Sequence, residues 1–278
     1  MGDTRQGEGS DFEDNFAVQT MSLTRKYGTL TAVDQIDLKI GYGRIFGLLG
    51  PNGAGKSTTI KMLTTLLKPT YGSAIVAGFN VVSQPAEVRR RIGYVPQMVS
   101  ADGALTGHEN LELSAKLYRM SKSQRRTRIS DALKFTGLEE SSRKLVRTYS
   151  GGMIRRLELA QAMIHRPVVL FLDEPTIGLD PVARRIVWDR LKGLNHYYKM
   201  TILITTHDME EADILCDELA ILHEGQVATI GTPVDLKASI GVTATLDDVF
   251  IHFSGGVIAE GGNYRDVRQT RSTATRLG

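Results

Sequence analysis

The sequence predicts an α/β fold built on a parallel sheet. Two observations carry the prediction: strand-like and helix-like stretches alternate along most of the chain, and two of the strands are apolar on both faces. Val168–Leu172 reads VVLFL and Thr201–Thr205 reads TILIT. A strand without an alternating polar face is buried on both sides, as strands of helix-covered parallel sheets are. A third observation, a helix-rich stretch from about residue 100 to 163, adds a helical insert to that core.

In chain order, Ile36-Asp37-Leu38-Lys39-Ile40 alternates apolar and polar and suits a half-exposed strand. Gly41-Tyr42-Gly43 turns into a second strand, Arg44–Leu49. The helix predicted over Lys56–Leu67 sets Ile60, Leu63 and Leu67 on one face and stops before Pro69. Ser73–Ala77 and Ile92–Val95 come next as strands. Thr106-Gly107-His108-Glu109 is a capping box, opening a helix with Leu113 and Leu117 on one face. Residues 121–163 read as mostly helical, broken near Gly137 and at Ser150-Gly151-Gly152. Asp180-Pro181 is an N-cap with proline in the first turn, with Val187, Leu191 and Leu194 beyond it at helical spacing. Leu219–Leu222 and Gln226–Ile230 flank Glu224-Gly225, a hairpin.

Composition narrows the function classes. The chain has 278 residues, 34 Lys+Arg against 31 Asp+Glu, 41% hydrophobic residues and one cysteine. That balance excludes a disordered chain, and 28 glycines without a three-residue period exclude a collagen-like one. A lone Cys216 excludes an internal disulfide and fits a reducing compartment; it reads as a small buried apolar residue, and Trp188 as packing. No stretch reaches the roughly 18 apolar residues of a membrane span. Residues 1–15 are acidic with no apolar core, so they are not a signal peptide, and Gln6 breaks a myristoylation motif. The domain expectation is a flexible acidic head over 1–15, one folded domain over 16–254, and a flexible basic tail over 255–278.

Gly50-Pro51-Asn52-Gly53-Ala54-Gly55-Lys56-Ser57 matches the phosphate-binding P-loop, and it lies between a strand and a helix as that motif requires. Glycines let backbone N–H groups converge on phosphate oxygens, and the helix N-terminus adds positive potential. Lys56 can reach the β- and γ-phosphates and the Ser57 hydroxyl can ligate Mg²⁺, so Gly50 through Ser57, with Thr58, are the nucleotide-binding candidates. The strand at 168–172 runs into Asp173-Glu174, placing two acids at a strand tip, where ligands bind in open α/β sheets. Asp173 is a candidate Mg²⁺ partner, directly or through another ligand, and Glu174 a general base for water.

Further motifs resemble those of the ABC-type ATPases. Tyr149-Ser150-Gly151-Gly152-Met153 is similar to their signature, with Ser150 23 positions before Asp173. Tyr27, 23 positions before Gly50, is similar to the aromatic residue that stacks on adenine. Gln97 in IGYVPQ resembles the Q-loop, Gly178-Leu179-Asp180 the D-loop, and His207 in TTHD the switch histidine. The resemblance covers about residues 16–235. It departs from the pattern at Tyr149, where leucine is commoner, and at Met153, where glutamine is.

The resemblance implies a P-loop NTPase core with a parallel sheet, an N-terminal antiparallel β subdomain and a helical insert subdomain at about 100–163. It implies ATP and Mg²⁺ as cofactors, with Gln97 joining Ser57 and Asp173 at the metal and Gln97, Glu174 and His207 serving hydrolysis. Ser150, Gly151, Gly152 and Asp180 would meet the nucleotide held by a second ATPase subunit, the same chain or a different one. Residues 149–160 (YSGGMIRRLELA), 205–213 (TTHDMEEAD), 229–238 (TIGTPVDLKA) and 243–254 (TATLDDVFIHFS) are similar to the ATP-binding subunits of daunorubicin- and antibiotic-resistance exporters of the ABC-2 class. That implies an ATPase on the cytoplasmic face of the cell membrane, powering a separate membrane-spanning permease that docks beside Gln97 and the helix from Thr106. The alternatives are an importer ATPase or a non-transport ABC ATPase acting on ribosomes or nucleic acid. One ATPase domain is too few for the ribosome type, and 94 positions between Lys56 and Ser150 leave no room for the long coiled coils of the chromosome type. The basic run Lys122, Arg125, Arg126, Arg128 lacks interleaved aromatics and reads as a solvated helix face, so no nucleic acid is expected.

Overall fold

The structure, a computed structural model, describes residues 15–254. It begins with β1 (Phe16–Tyr27), β2 (Leu30–Gly41) and β3 (Ile45–Leu49), then α1 (Lys56–Leu63), β4 (Tyr71–Val76), β5 (Phe79–Asn80), α2 (Pro85–Arg91) and β6 (Ile92–Val95). The helical insert comes next as α3 (Gly107–Leu117), α4 (Lys122–Thr136) and α5 (Gly151–Met163). The chain then returns through β7 (Val169–Asp173), α6 (Pro181–Tyr198), β8 (Thr201–Thr206) and α7 (Met209–Leu215). It closes with β9 (Glu218–His223), β10 (Gln226–Gly231), α8 (Pro233–Ile240) and α9 (Leu246–Phe253). The expected flexible head and tail lie outside the described residues, apart from Asn15.

The larger sheet runs β10-β9-β3-β8-β7-β6; β9, β3, β8, β7 and β6 are parallel and β10 is an antiparallel edge. Every residue of β3, β7 and β8 is buried, and alternate residues serve two different cores. Val169 and Phe171 of β7 face a core shared with α1 and the antiparallel sheet. Leu170 and Leu172 face a second core with α6, α7 and α9. Each such side chain contributes about 1.5–3 kcal/mol on burial, and the one charge on these three strands, Asp173, stands at the C-terminal tip of β7.

The smaller sheet, β2-β1-β4-β5, is antiparallel, as the resemblance implied. Its strand β1 has no period-2 signature because the register slips between Thr20 and Leu23, where Ser22 takes a φ of 47°. The Thr20 hydroxyl bridges the break, donating to the Ile36 carbonyl (2.7 Å) and accepting from the Leu38 N–H (2.8 Å). Ahead of the slip, Ala17 to Thr20 are buried in series on this inner strand of the sheet, so alternation fails as a guide there.

One expectation is corrected. The first helix ends at Leu63, not Leu67: Thr65 turns left-handed at φ 65°, and Leu67 packs on the core from the turn beyond it. On α3 the core face is Asn110, Leu111 and Ala115, whereas Leu113 and Leu117 are 49% and 75% exposed. This helix carries two apolar stripes, and only the one packed on α4 and α5 is inside. The Thr106 capping box, the Gly137 stop at φ 64° and the caps by Ser150 and Asp180 are all as read from the sequence.

Four parallel strands therefore end side by side. The order β3-β8-β7-β6 sets Gly50, His207, Asp173-Glu174 and Gln97 in a row at the strand tips. A single sheet edge collects residues distant in the chain, at the carboxyl ends where open α/β sheets bind ligands.

Candidate functional site

Between β3 and α1 the chain folds into the loop that the glycine spacing predicts. Gly55 caps α1 at φ 99°, and a Cβ there would sit 2.6 Å from the Ala32 carbonyl oxygen, so no other residue fits. No side chain caps this helix, which leaves its first N–H groups open towards the loop. Lys56 is buried beneath the loop. Its Nζ donates to the carbonyls of Gly50 (2.7 Å) and Pro51 (3.1 Å) and lies 3.5 Å from Glu174 Oε1. Burial holds the Lys56 ammonium below its usual range, against the attraction of Glu174 and Asp173.

Facing the loop, Asp173 Oδ1 accepts from the hydroxyls of Ser57 (2.9 Å) and Thr205 (2.6 Å). Glu174 is buried at a positive φ of 51°, a conformation costly for a residue with a Cβ. Its N–H donates to Thr205 Oγ1 (3.0 Å) and to the Thr205 carbonyl (3.1 Å), which fixes that turn. One carboxylate oxygen faces Lys56 and the other lies 2.9 Å from His207 Nδ1. A cation, two carboxylates, two hydroxyls and an imidazole thus surround one cradle. Such a set can bind a polyphosphate and polarise a water beside it.

Ser150, Gly151 and Gly152 open a different element, α5. Ser150 caps α5, its Oγ accepting from the Met153 N–H (3.3 Å). A Cβ on Gly152 would meet the Ala183 Cβ at 2.8 Å, so glycine there lets α5 approach the start of α6. Among the described residues no hydrogen bond or ion pair joins Ser150–Gly152 to Lys56, Ser57 or His207.

An ABC transporter family profile matches residues 33–177. The chain belongs to this family. ABC ATPases bind and hydrolyse ATP. The chain is 45% identical over 225 residues to the daunorubicin/doxorubicin resistance ATP-binding protein DrrA of Streptomyces peucetius, covering 81% of this chain and 68% of that one. It is 42% identical to the Nod factor export ATP-binding protein I of Cupriavidus metallidurans, covering 79% and 72%. Its fold matches the dimeric, post-hydrolysis ATP-binding cassette MJ0796 bound to ADP and Pi, with a TM-score of 0.69 at 29% identity, covering 77% of this chain and 98% of that chain.

Within the ABC frame, the structure brings Lys56, Ser57, Asp173, Glu174 and His207 together. Gln97 stands just past β6 with its side chain exposed and its carbonyl 3.4 Å from Arg155 Nη2. Tyr27 ends β1, half-exposed, with the Arg25 guanidinium 4.6 Å above its ring. The Asp180 carboxylate is engaged in its cap, accepting from the N–H groups of Val182 and Ala183. The two departures in the signature have local causes: buried Tyr149 donates its hydroxyl to the Ser141 carbonyl (2.7 Å), and Met153 packs on the helical core. Among the described residues no cluster of three His, Cys, Asp or Glu side chains could cage a metal. One serine and one carboxylate fit Mg²⁺, which keeps water and takes its remaining ligands from substrate phosphates.

Some site residues are not legible from sequence. Thr205, bonded to both acids, looks like an apolar-strand residue. Arg155 and Glu158, a buried pair on α5, carry a readable signal: opposite charges three apart on a helix face otherwise apolar. Trp188 does more than pack, since its indole N–H donates to buried Glu211 Oε1 (2.8 Å), which also accepts from the hydroxyl of Thr176 (2.7 Å), just before the D-loop.

Proposed function

We propose that this chain is the ATP-hydrolysing subunit of an ABC exporter, powering a separate membrane permease that moves drug, antibiotic or lipid-like molecules out of the cell. The observation that carries the catalytic half is the Lys56–Glu174–His207 arrangement beside Ser57 and Asp173. Lys56 exchanges its loop carbonyls for the β- and γ-phosphates of ATP. Ser57 and Asp173, with Gln97, would hold Mg²⁺, which would screen phosphate charge. Glu174 accepts a proton as water forms a bond to the γ-phosphorus and the bond to ADP breaks; His207 holds the Glu174 carboxylate and faces the γ-phosphate. Tyr27 stacks on the adenine. Ser150, Gly151 and Gly152 offer N–H groups and a hydroxyl to the γ-phosphate of a second subunit, with Asp180 beside that contact.

The transport half is supported by the names of the relatives and by an uncovered surface. No helix among the described residues is long and apolar enough to cross a membrane. Yet Met98 and Val99, after Gln97, are 82% and 64% exposed, and Leu113 and Leu117 line the outer stripe of α3. Asp102 is tied to Asn110 of α3 by a 2.9 Å bond, which keeps the two segments adjacent. The stripe ends at a 530 Å³ cavity lined by Leu117, Tyr118 and Met120 with Arg90, Arg119 and Arg128. Exposed apolar side chains on neighbouring segments suit a partner's seat. We assign it to a cytoplasmic segment of the permease, apolar with acidic ends; on that reading the chain works at the cytoplasmic face of the membrane.

Glu174→Gln tests the reading. ATP binding should persist, hydrolysis should fall by about 100-fold or more, and an ATP-dependent dimer should accumulate on size exclusion. Turnover near the wild-type rate would remove Glu174 from the role of base.

A further inference from the structure

Arg155 and Glu158 are among the most deeply buried charges in the described residues, 6% and 2% exposed, and they pair at 3.0 Å one turn inside α5. Among the described residues, their other side-chain hydrogen bonds all leave the helix. Arg155 Nη1 donates to the Pro96 carbonyl (2.8 Å), and Nη2 reaches the carbonyls of Gln97 (3.4 Å) and Glu174 (3.2 Å). Glu158 Oε1 accepts from the N–H (2.5 Å) and hydroxyl (2.9 Å) of Ser100. One guanidinium therefore grips the backbone on both sides of the site: the segment that carries Gln97 and the residue that carries the base.

The grip on Glu174 falls where the backbone most needs it. A glutamate at φ 51° keeps that conformation only if its surroundings over-determine it. Thr205 holds the N–H side of Glu174 and Arg155 holds the carbonyl side. The helix that delivers Arg155 is the one capped by Ser150, five residues earlier, about 7.5 Å along the axis at about 1.5 Å per residue. A phosphate bound at the Ser150 end thus acts on a rigid rod whose next turn is bolted to Gln97 and Glu174.

We infer that Arg155, braced by Glu158, is a positioning residue for hydrolysis: it sets the Glu174 backbone, and hence its carboxylate, in register with the Ser150 end of α5. This rests on the ATPase reading above. Arginine is required because its planar fork serves several acceptors at once; a lysine keeps the charge beside Glu158 but cannot span to Gln97 and Glu174.

The test compares the full-length wild type with Arg155→Lys and Glu158→Gln, in ATPase kinetics, ATP binding and thermal melting. Arg155→Lys should lower kcat by about 10- to 100-fold, the cost of a small misplacement of a reacting group. Its KM and ATP dissociation constant should stay within about twofold. Glu158→Gln leaves the fork in place with its charge uncompensated, so it should melt earlier and lose less kcat than Arg155→Lys. Wild-type turnover matched within about twofold by Arg155→Lys overturns the inference. So does a loss in Arg155→Lys that comes with lost ATP binding, because the pair would then be holding the fold and not the base. A wild type that turns over no ATP overturns the ATPase reading itself, and this inference falls with it.

Discussion

At the Lys56 corner every charged group has a partner in this chain. Lys56 has two carbonyls and Glu174, Asp173 has two hydroxyls, and Glu174 has Lys56 and His207. At the Ser150 corner, Ser150, Gly151 and Gly152 carry no charge, and the helix they open is capped by a single long bond from the Met153 N–H. The first corner carries a cation, two acids and two hydroxyls; the second offers only a helix N-terminus and one hydroxyl. A helix N-terminus binds phosphate well but does not itself carry Lys56, Ser57 or a base. The difference teaches why the proposed function pairs two chains: the Ser150 corner has the helix N-terminus but none of the charged groups that the Lys56 corner collects.

That division can be broken by mixing. Lys56→Met disables the first corner and Ser150→Arg the second, and each variant alone should lose about 100-fold or more in ATPase rate. A dimer with one protomer of each kind retains one intact pairing, the unaltered Lys56 of one chain with the unaltered Ser150 of the other. Combining the two dead variants should therefore restore turnover readily measured by phosphate release. If the mixture stays dead while both variants still dimerise with each other, the two corners do not form a shared site between copies of this chain.

The corners also differ in how much of them the sequence reveals. Gly50 to Ser57, Asp173, Glu174 and His207 announce themselves because phosphate binding restricts residue type as well as spacing, and because strand ends are where such loops go. The parallel core is legible for a similar physical reason: β7 and β8 are apolar on both faces. Ser150–Gly152 is legible only as a helix cap until set beside the other motifs. The hidden residues depend on three-dimensional neighbours. Thr205 looks like one more β-branched strand residue, and only the pairing of β7 with β8 puts its hydroxyl between Asp173 and the Glu174 N–H. Leu113 and Leu117 do share one face of α3, but the helix has two apolar stripes and a sequence does not say which of them is inside.

Thr205 supplies a smaller, sharper perturbation of the first corner. Thr205→Val preserves shape and removes a donor to Asp173 and an acceptor for the Glu174 N–H, which keeps the Thr205 carbonyl at 3.1 Å. Stability should fall by about 1–3 kcal/mol in denaturant titration, and kcat should drop about tenfold. The second corner should not notice: mixed with Ser150→Arg, whose Lys56 corner is unaltered, this variant should restore turnover as well as Lys56→Met does. Complementation lost altogether would mean that the corners are coupled through Thr205 and are not separate surfaces.

The smallest effect is a pH dependence confined to the first corner. Burial pulls the folded-state pKa of Lys56 below its ordinary 10.5, with Glu174 and Asp173 opposing the shift. Below the lowered value both folded and unfolded chains carry the proton, and burying the ammonium works against folding. Between the lowered value and 10.5 the unfolded chain stays protonated while the folded chain releases its proton, so folded-state stability rises with pH across that window and levels off at 10.5. Lys56→Met removes the group, so its stability advantage over wild type from this source should be largest near neutral pH and shrink as pH climbs towards 10.5. Ser150→Ala, which removes no titrating group, should run parallel to wild type throughout. Thermal melts of the nucleotide-free proteins across that range separate the two. A Lys56→Met difference independent of pH would mean that the ammonium is buried without penalty, its loop carbonyls and Glu174 fully replacing the water it gave up.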